Sequence, residues 1–520
     1  MQYFINTAVL APLLVVLSLI AVVWILYRAV YGFYFSPLRH IPGSVVSRIT
    51  AKRTELCTIF GRMSQLGKYD FEKYGDVFIV TPDAVAISNP DDIRMVLSHP
   101  GIAKANYYKI LRFTGIDNTV STQDFELANT RHRQLAPFFK SGYLAKMEAT
   151  IMEHGIASVK AKWDRVIAES ISGTGEINYC NDFLFAAFDT IGTLVYGRQI
   201  DELSTNNAKT AKWIDSTVTY IGIRSMIQLV LKYPFSLLMR PWESRYNKLS
   251  SYTHASINQR KADLAEGKEK PADLLQAFID AEDPESKVRM SHGQIHGECV
   301  LMMLAGSDTT SHTISWTVHF LMLYPHIYAK AVAEVRSAFA PEHTITNSEC
   351  RTHLPFIEAC LLESLRLAPV TGGLLPRAAP KGGIHIQGHF IPEGTTMFVN
   401  LAVANHHEEF WKRPHEYNPM RFIDDAKARH NVLTFSHGRR TCPGKNLAMW
   451  EMLTILANVL KDYDMKLPAD YTHLGPNIID KHGYPRQMDS QQYIVVKPVD
   501  AERDCRLLIT KHVPSSAKKQ

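Results

Sequence analysis

The sequence predicts a mainly α-helical protein with small β-sheets, carried behind a single N-terminal transmembrane helix. Three observations predict this: an uncharged apolar run at the start, apolar periodicity near 3.6 residues over most of the remainder, and two short β-type clusters punctuated by turn residues. Hydrophobic residues make up 46% and charged residues 21%, which excludes a disordered, collagenous or coiled-coil chain. The excess of 57 basic over 51 acidic residues, +6 across 520, is too diffuse for a nucleic-acid footprint, so no nucleic-acid partner is expected.

From Phe4 to Tyr27 no residue is charged. As a helix this run would span about 36 Å, against a hydrocarbon core of about 30 Å. No basic stretch precedes it and no small-x-small cleavage site closes it, which separates it from a signal peptide. Arg28 and Arg39 follow, so the positive-inside tendency puts the rest of the chain on the cytoplasmic side, with Trp24, Tyr27, Tyr31 and Tyr34 at headgroup level. Pro37 and Pro42 bias their preceding residues to extended conformations. The resulting organisation is an anchor over 1–28, a stiff linker over 29–43 and one folded body over 44–520. The seven cysteines are scattered and form no CxxC pair, which argues against a disulfide framework or a zinc ribbon and suits a reducing compartment.

Within the body, residues 76–80 and 84–88 read as a hairpin around Thr81-Pro82-Asp83. A second β signal covers Ile384 to Val403, with turns at Gln387-Gly388 and Pro392-Glu393-Gly394. A long helix opens at Ser291, where Gln294 completes a capping box, and runs to Pro325. It is apolar around Val300 to Leu304, yet its middle reads Ala305-Gly306-Ser307-Asp308-Thr309-Thr310, small and polar where a buried helix should pack Leu. A further helix after Leu354-Pro355 carries Glu363 and Arg366 three residues apart, able to pair. His292, His296 and Cys299 share one helix face, but no acid lies between the histidines as in HExxH, so packing is expected there and not a zinc site. His406-His407 reads as a solvated loop. The run from Ile221 to Trp242 is apolar but carries too many charges to span; dipping into a membrane and core packing both remain open for it.

Residues 435–444 read Phe-Ser-His-Gly-Arg-Arg-Thr-Cys-Pro-Gly, directly before a helical pattern over 445–460. A cysteine just ahead of a helix N-terminus has its thiolate favoured by unsatisfied N–H groups and the helix dipole. Phe435 can shield the sulfur, while Gly438 and Gly444 permit backbone geometry that side chains would block. Here the chain resembles the cytochrome P450 family, whose pattern FxxGxRxCxG is matched at every specified position. Glu363-Ser-Leu-Arg366 matches the family's ExxR, and Ala305 to Thr309 matches its oxygen-activating helix motif. Two departures stand out. Met420 replaces the customary acid of PERF in Pro419-Met420-Arg421-Phe422, and Ala128 or Asn129 stands where a Trp often precedes the haem-contacting arginine.

The resemblance implies a cytochrome P450 fold binding haem b (iron protoporphyrin IX), with Cys442 as the axial ligand of the iron. It further implies cofactor contacts from Phe435, Gly438, Arg440, Gly444, Arg377, Ala305 and Gly306, with Arg440 and Arg377 on the propionates. One contact comes from among Arg131, His132 and Arg133, with Arg133 taken as the cofactor-binding residue. Asp308 and Thr309 are the expected catalytic proton relay, and Glu363, Arg366 and Arg421 a structural group near the haem. Tyr107, Tyr108, Phe113, Met302, Val370, Leu374 and Leu375 are the expected pocket walls. The implied activity is insertion of one oxygen atom from O2 into a lipophilic small molecule. Electrons would come from a separate membrane-bound NADPH-cytochrome P450 reductase, with cytochrome b5 as an optional second donor, on the endoplasmic reticulum membrane. The style of the sequence is similar to fungal P450s of secondary metabolism. An isomerase or dehydratase that uses thiolate haem without O2, and a non-enzymatic membrane haem protein, are the alternatives; the Asp308-Thr309 pair speaks against the first.

Overall fold

The computed structural model describes residues 7–198, 200, 202–205, 209–226, 232–234, 236–373, 375–425 and 427–513. The chain divides into a smaller unit, Met1–Ala105 with Gly373–His407, and a larger one, Asn106–Gly372 with Glu408–Gln520. It is mainly helical with small sheets, as the patterning predicts.

The smaller unit begins with α1, Thr7–Val30, and the stretch Leu14–Phe35 is long and apolar enough to cross a membrane. Helix continues past Val30 as a π-helical segment, Tyr31–Phe35, inside the stretch the prolines marked as linker. It stops at Ser36, extended ahead of Pro37 as the steric rule requires. This segment is packed against its own unit. A Cβ on Gly32 would lie 2.7 Å from the Arg48 carbonyl oxygen in α2, Val45–Ile49. Arg28 Nε donates to the Ile49 carbonyl at 3.2 Å, and Arg48 donates to the carbonyls of Arg39 (3.1 Å) and Ile41 (2.5 Å).

The unit's sheet joins the hairpin Val77–Thr81/Ala84–Ile87 to Thr396–Val399, which runs parallel to the second strand, and then to Arg377–Ala378. A separate hairpin, Ile384–Ile386/His389–Ile391, turns at Gln387 and Gly388, both with positive φ, the conformation a two-residue hairpin turn demands. The second β signal ends at Val399, since Leu401–Ala404 closes into a helical turn. His407 is buried and reaches Asp76 at 3.2 Å, so the solvated-loop expectation does not hold for it.

In the larger unit the helices that position the site are α3 (Phe125–Leu135), α4 (Tyr179–Tyr196), α5 (His292–Leu323), α6 (Pro355–Leu367) and α7 (Lys445–Asp462). A three-stranded sheet pairs Arg506–Lys511 with Gly175–Asn178 and Tyr463–Lys466. The capping box of α5 forms as read: Ser291 Oγ accepts from the Gln294 N–H at 3.3 Å and Gln294 Oε1 from the Ser291 N–H at 2.8 Å. Nearly every residue of α5 is buried, because its apolar surface runs all round and the core encloses it. His292 and His296 stack with His254, whose Nδ1 lies 2.9 Å from His292 Nε2. Cys299 is buried, and no His/Cys/Asp/Glu group among the described residues is arranged to hold a metal ion. Within the run 221–242, residues 227–231 and 235 lie outside the described residues; Tyr233 and Leu238 are exposed.

Candidate active site

The cysteine loop is held at both ends. Thr434 Oγ1 donates to the Leu365 carbonyl at the end of α6 (2.8 Å), and the Cys442 N–H donates to the Phe435 carbonyl (2.9 Å), closing the loop on itself. The reversal between them uses left-handed backbone at Ser436 and Gly438, φ +64° and +69°, which glycine adopts without strain. Cys442 then leads through Pro443 and Gly444 into α7. Its thiol is exposed, whereas Cys180, Cys299, Cys350, Cys360 and Cys505 are buried. Surrounding protein still desolvates the sulfur and pushes its pKa up. The N–H groups of Gly444 and Lys445 and the Lys445 charge push the other way, and Lys445 Nζ lies 5.7 Å from the Phe435 ring centre. A side chain at Gly444 would meet the sulfur at 3.9 Å.

On α5 the residues from Ile295 to Leu323 are buried with four exceptions: Ala305, Gly306, Asp308 and Thr309. A single accessible turn inside an otherwise enclosed helix marks the wall of an internal space. Ala305 is its most open member, consistent with a small side chain chosen to leave room. At Gly306 a Cβ would come within 2.9 Å of Ile191 side-chain carbons on α4. Its missing side chain lets the two helices meet. Thr309 Oγ1 donates to the Ala305 carbonyl at 2.7 Å, leaving its oxygen lone pairs to accept.

Glu363 and Arg366 are fully buried and pair through two bonds of 2.7 Å. Arg421 Nε adds 3.0 Å to the same carboxylate, which also accepts from the Asn418 N–H (2.9 Å). Arg366 donates onward to the carbonyls of Pro414 (2.7 Å) and Glu416 (3.0 Å), so the trio pins the 412–421 loop to α6. Met420, the departure from PERF, has its sulfur 3.0 Å from Lys330 Nζ and leaves the trio intact.

Arg440 Nη2 reaches the Asp124 carbonyl at the start of α3 (3.5 Å) and its guanidinium lies 5.9 Å from the Phe125 ring centre. The three basic residues of α3 separate clearly. Arg131 is buried against Glu298 (3.6 Å) and donates to Gln134 (2.6 Å). Arg133 grips Asp283 through bonds of 2.6 and 2.8 Å and pairs with Glu285 at 3.2 Å, holding the Asp283 carboxyl well below the usual carboxylate range. Its guanidinium is engaged by two acids, which a contact with the cofactor would have to share or displace. His132 is the exposed member, with no ion pair among the described residues.

Arg377 is buried in the smaller unit, in the strand beside Thr396–Val399. Among the expected pocket walls, Phe113 packs in the larger unit's core at 2% exposure. Met302 belongs to that core too, Val370 and Tyr108 are buried, Tyr107 and Leu375 are partly buried, and Leu374 lies outside the described residues. Sequence reasoning missed Glu451 on α7: it is fully buried, neither carboxylate oxygen has a hydrogen-bond partner among the described residues, and burial pushes its pKa up to about 8. It missed His312 as well, whose signal was its place one turn beyond Asp308.

An exposed cysteine beside helix N-terminal N–H groups and one opened turn of a core helix fit a haem-thiolate group. The chain belongs to the cytochrome P450 family, whose sequence model matches residues 58–477. It is 42% identical over 513 residues to Cytochrome P450 monooxygenase helB1 of Aspergillus fumigatus, covering 98% of this chain and 88% of that protein. Cytochrome P450 monooxygenase helB2 of the same organism is 40% identical over 502 residues, covering 96% and 99%. A more distant relative is the Trichothecene C-15 hydroxylase of Fusarium sporotrichioides, 26% identical over 472 residues, 88% of this chain and 93% of that protein. The chain is thus a P450 monooxygenase, and its family implies a haem cofactor.

Proposed function

We propose that this monooxygenase is anchored in the endoplasmic reticulum membrane and inserts one oxygen atom of O2 into a lipophilic small molecule of fungal secondary metabolism. Electrons come from a separate NADPH-dependent reductase on the same membrane, with cytochrome b5 as an optional second donor. The observation that carries the reading is Cys442: exposed, held by the loop's closing bond to Phe435, and supported by the N–H groups of Gly444 and Lys445.

When bound, haem supplies the activation of dioxygen. Cys442 would hold the group through its thiolate, with the Gly444 and Lys445 N–H groups and the Lys445 charge favouring the ionised sulfur. Ala305, the open position of α5, would leave room beside the group, and the planar fork of Arg440 would suit a propionate. Thr309 accepts and passes a proton at Oγ1, with Asp308 beside it as the renewing acid. Glu363, Arg366 and Arg421 keep the loop before the cysteine in register. Sequence relatives that are fungal monooxygenases, one named as a hydroxylase, support the substrate class.

Reduced protein treated with carbon monoxide should show the long-wavelength band of thiolate-ligated haem, and Cys442→Ala should abolish it. A folded, haem-loaded protein without that band refutes the reading. Metabolite profiles of cells with and without the gene identify the substrate.

A further inference from the structure

His312 lies one turn beyond Asp308 on the face of α5 that carries Ala305, at spacings of four and seven residues. It is buried, and its Nδ1 lies 2.6 Å from the Asp308 carbonyl oxygen. A carbonyl only accepts, so Nδ1 carries the proton and the ring's orientation is fixed. Ser311 Oγ adds a longer bond, 3.3 Å, to the same oxygen. The neighbouring carbonyls are treated alike: Thr309 Oγ1 donates to Ala305 and Thr313 Oγ1 to Thr309, each at 2.7 Å.

Side-chain donors to the carbonyl four residues back compete with the helix ladder and bend it, and they keep the carbonyl satisfied where the ladder loosens. Three carbonyls of the accessible turn are therefore held by side chains from the following turn. Three of the four donors, Thr309, Ser311 and Thr313, are hydroxyls, free to rotate away. The fourth, His312, makes the shorter of the two bonds to the Asp308 carbonyl and is a rigid ring enclosed by the core. We infer that His312 is a positioning residue, holding the Asp308 carbonyl and with it the Asp308-Thr309 turn in the geometry that delivers protons. The inference rests on the relay reading of those two residues.

Three substitutions test it in the full-length, haem-loaded protein with its reductase, using 7-ethoxycoumarin as the lipophilic probe. His312→Phe keeps the bulk and removes the donor, His312→Asn places an N–H near the position of Nδ1, and His312→Gln places it near that of Nε2. The readout is hydrogen peroxide released per NADPH consumed. Electrons not lost as peroxide end in product or water, so the ratio reports proton delivery whether or not the probe is oxidised. Phe and Gln should lower the electrons reaching product or water by about tenfold, the scale of a misplaced catalytic group, with an unchanged carbon monoxide band. Asn should stay within about twofold of wild type on the same scale. Wild-type ratios for Phe and Gln, or an Asn variant as uncoupled as Phe, overturn the inference. Should the Phe protein not accumulate, the Asn and Gln pair decides by the same criterion. Thr309→Ala, run alongside, separates the two failures: wild-type coupling there refutes the relay and removes the basis for His312, whereas uncoupling there but not in Phe and Gln refutes the role of His312 alone.

Discussion

Glu451 makes stability depend on pH in a direction that can be worked out. In the folded protein its carboxyl titrates at about 8, against an ordinary value of 4.5, because burial without a hydrogen-bond partner disfavours the charge. The unfolded chain loses this proton near pH 4.5 while the folded chain keeps it to about 8, so the group's cost to folding is absent below pH 4.5 and grows as pH rises. At 1.36 kcal/mol per pH unit it reaches about 3 kcal/mol at pH 7 and levels off near 5 kcal/mol above pH 8. Glu451→Gln removes the ionisation and keeps the shape. The variant should match wild type near pH 4.5 and become progressively more stable than it up to pH 8. At about 2 °C or less per kcal/mol for a chain of this size, the gap in Tm should open by several degrees between pH 5 and 8. Thermal melts of both proteins, in one detergent across that range, measure the gap directly. A constant difference across pH would mean that Glu451 is ionised or partnered in the folded state, and the reasoning from its burial would fail.

Two further outcomes follow from ion pairs of opposite standing. Glu363→Gln leaves Arg366 fully buried with its carboxylate partner gone, which should destabilise by about 3 to 5 kcal/mol and deplete haem; normal haem content at an unchanged Tm would contradict the clamp described for residues 412–421. Arg133→Gln should leave haem content and the carbon monoxide band untouched while loosening the 281–290 segment, seen as faster limited proteolysis there. Loss of haem in that variant would place Arg133 on the cofactor.

Features written in neighbouring residues were legible before any coordinates. The Ser291/Gln294 capping box and the Gln387-Gly388 turn each depend on contacts within a few positions, and both form as read. What sequence could not supply was the distant partner. Arg133 finds Asp283 150 residues away, and nothing local distinguishes it from Arg131 or His132. Gly306 sits in a motif that says nothing of Ile191, the side chain on another helix that a Cβ there would meet. Glu451 lies among Met449, Trp450, Met452 and Leu453, a pattern that announces burial of the helix but not whether the acid has company. The prolines at 37 and 42 fixed where helix must stop, while saying nothing about how firmly the preceding turns would lie against Arg48.

That last contact changes what kind of tether α1 is. A leash lets its cargo tumble and tells it nothing about the membrane. With Gly32 seated on the Arg48 carbonyl and Arg28 bonded to Ile49, α1 is a mast stepped against Val45–Ile49. In a bilayer, helix tilt answers to hydrocarbon thickness. For an anchor placed as proposed, a thinner membrane would lean the mast and a thicker one would stand it upright. With the anchor proposed above, lipid composition would set the angle at which this part of the enzyme meets the headgroups.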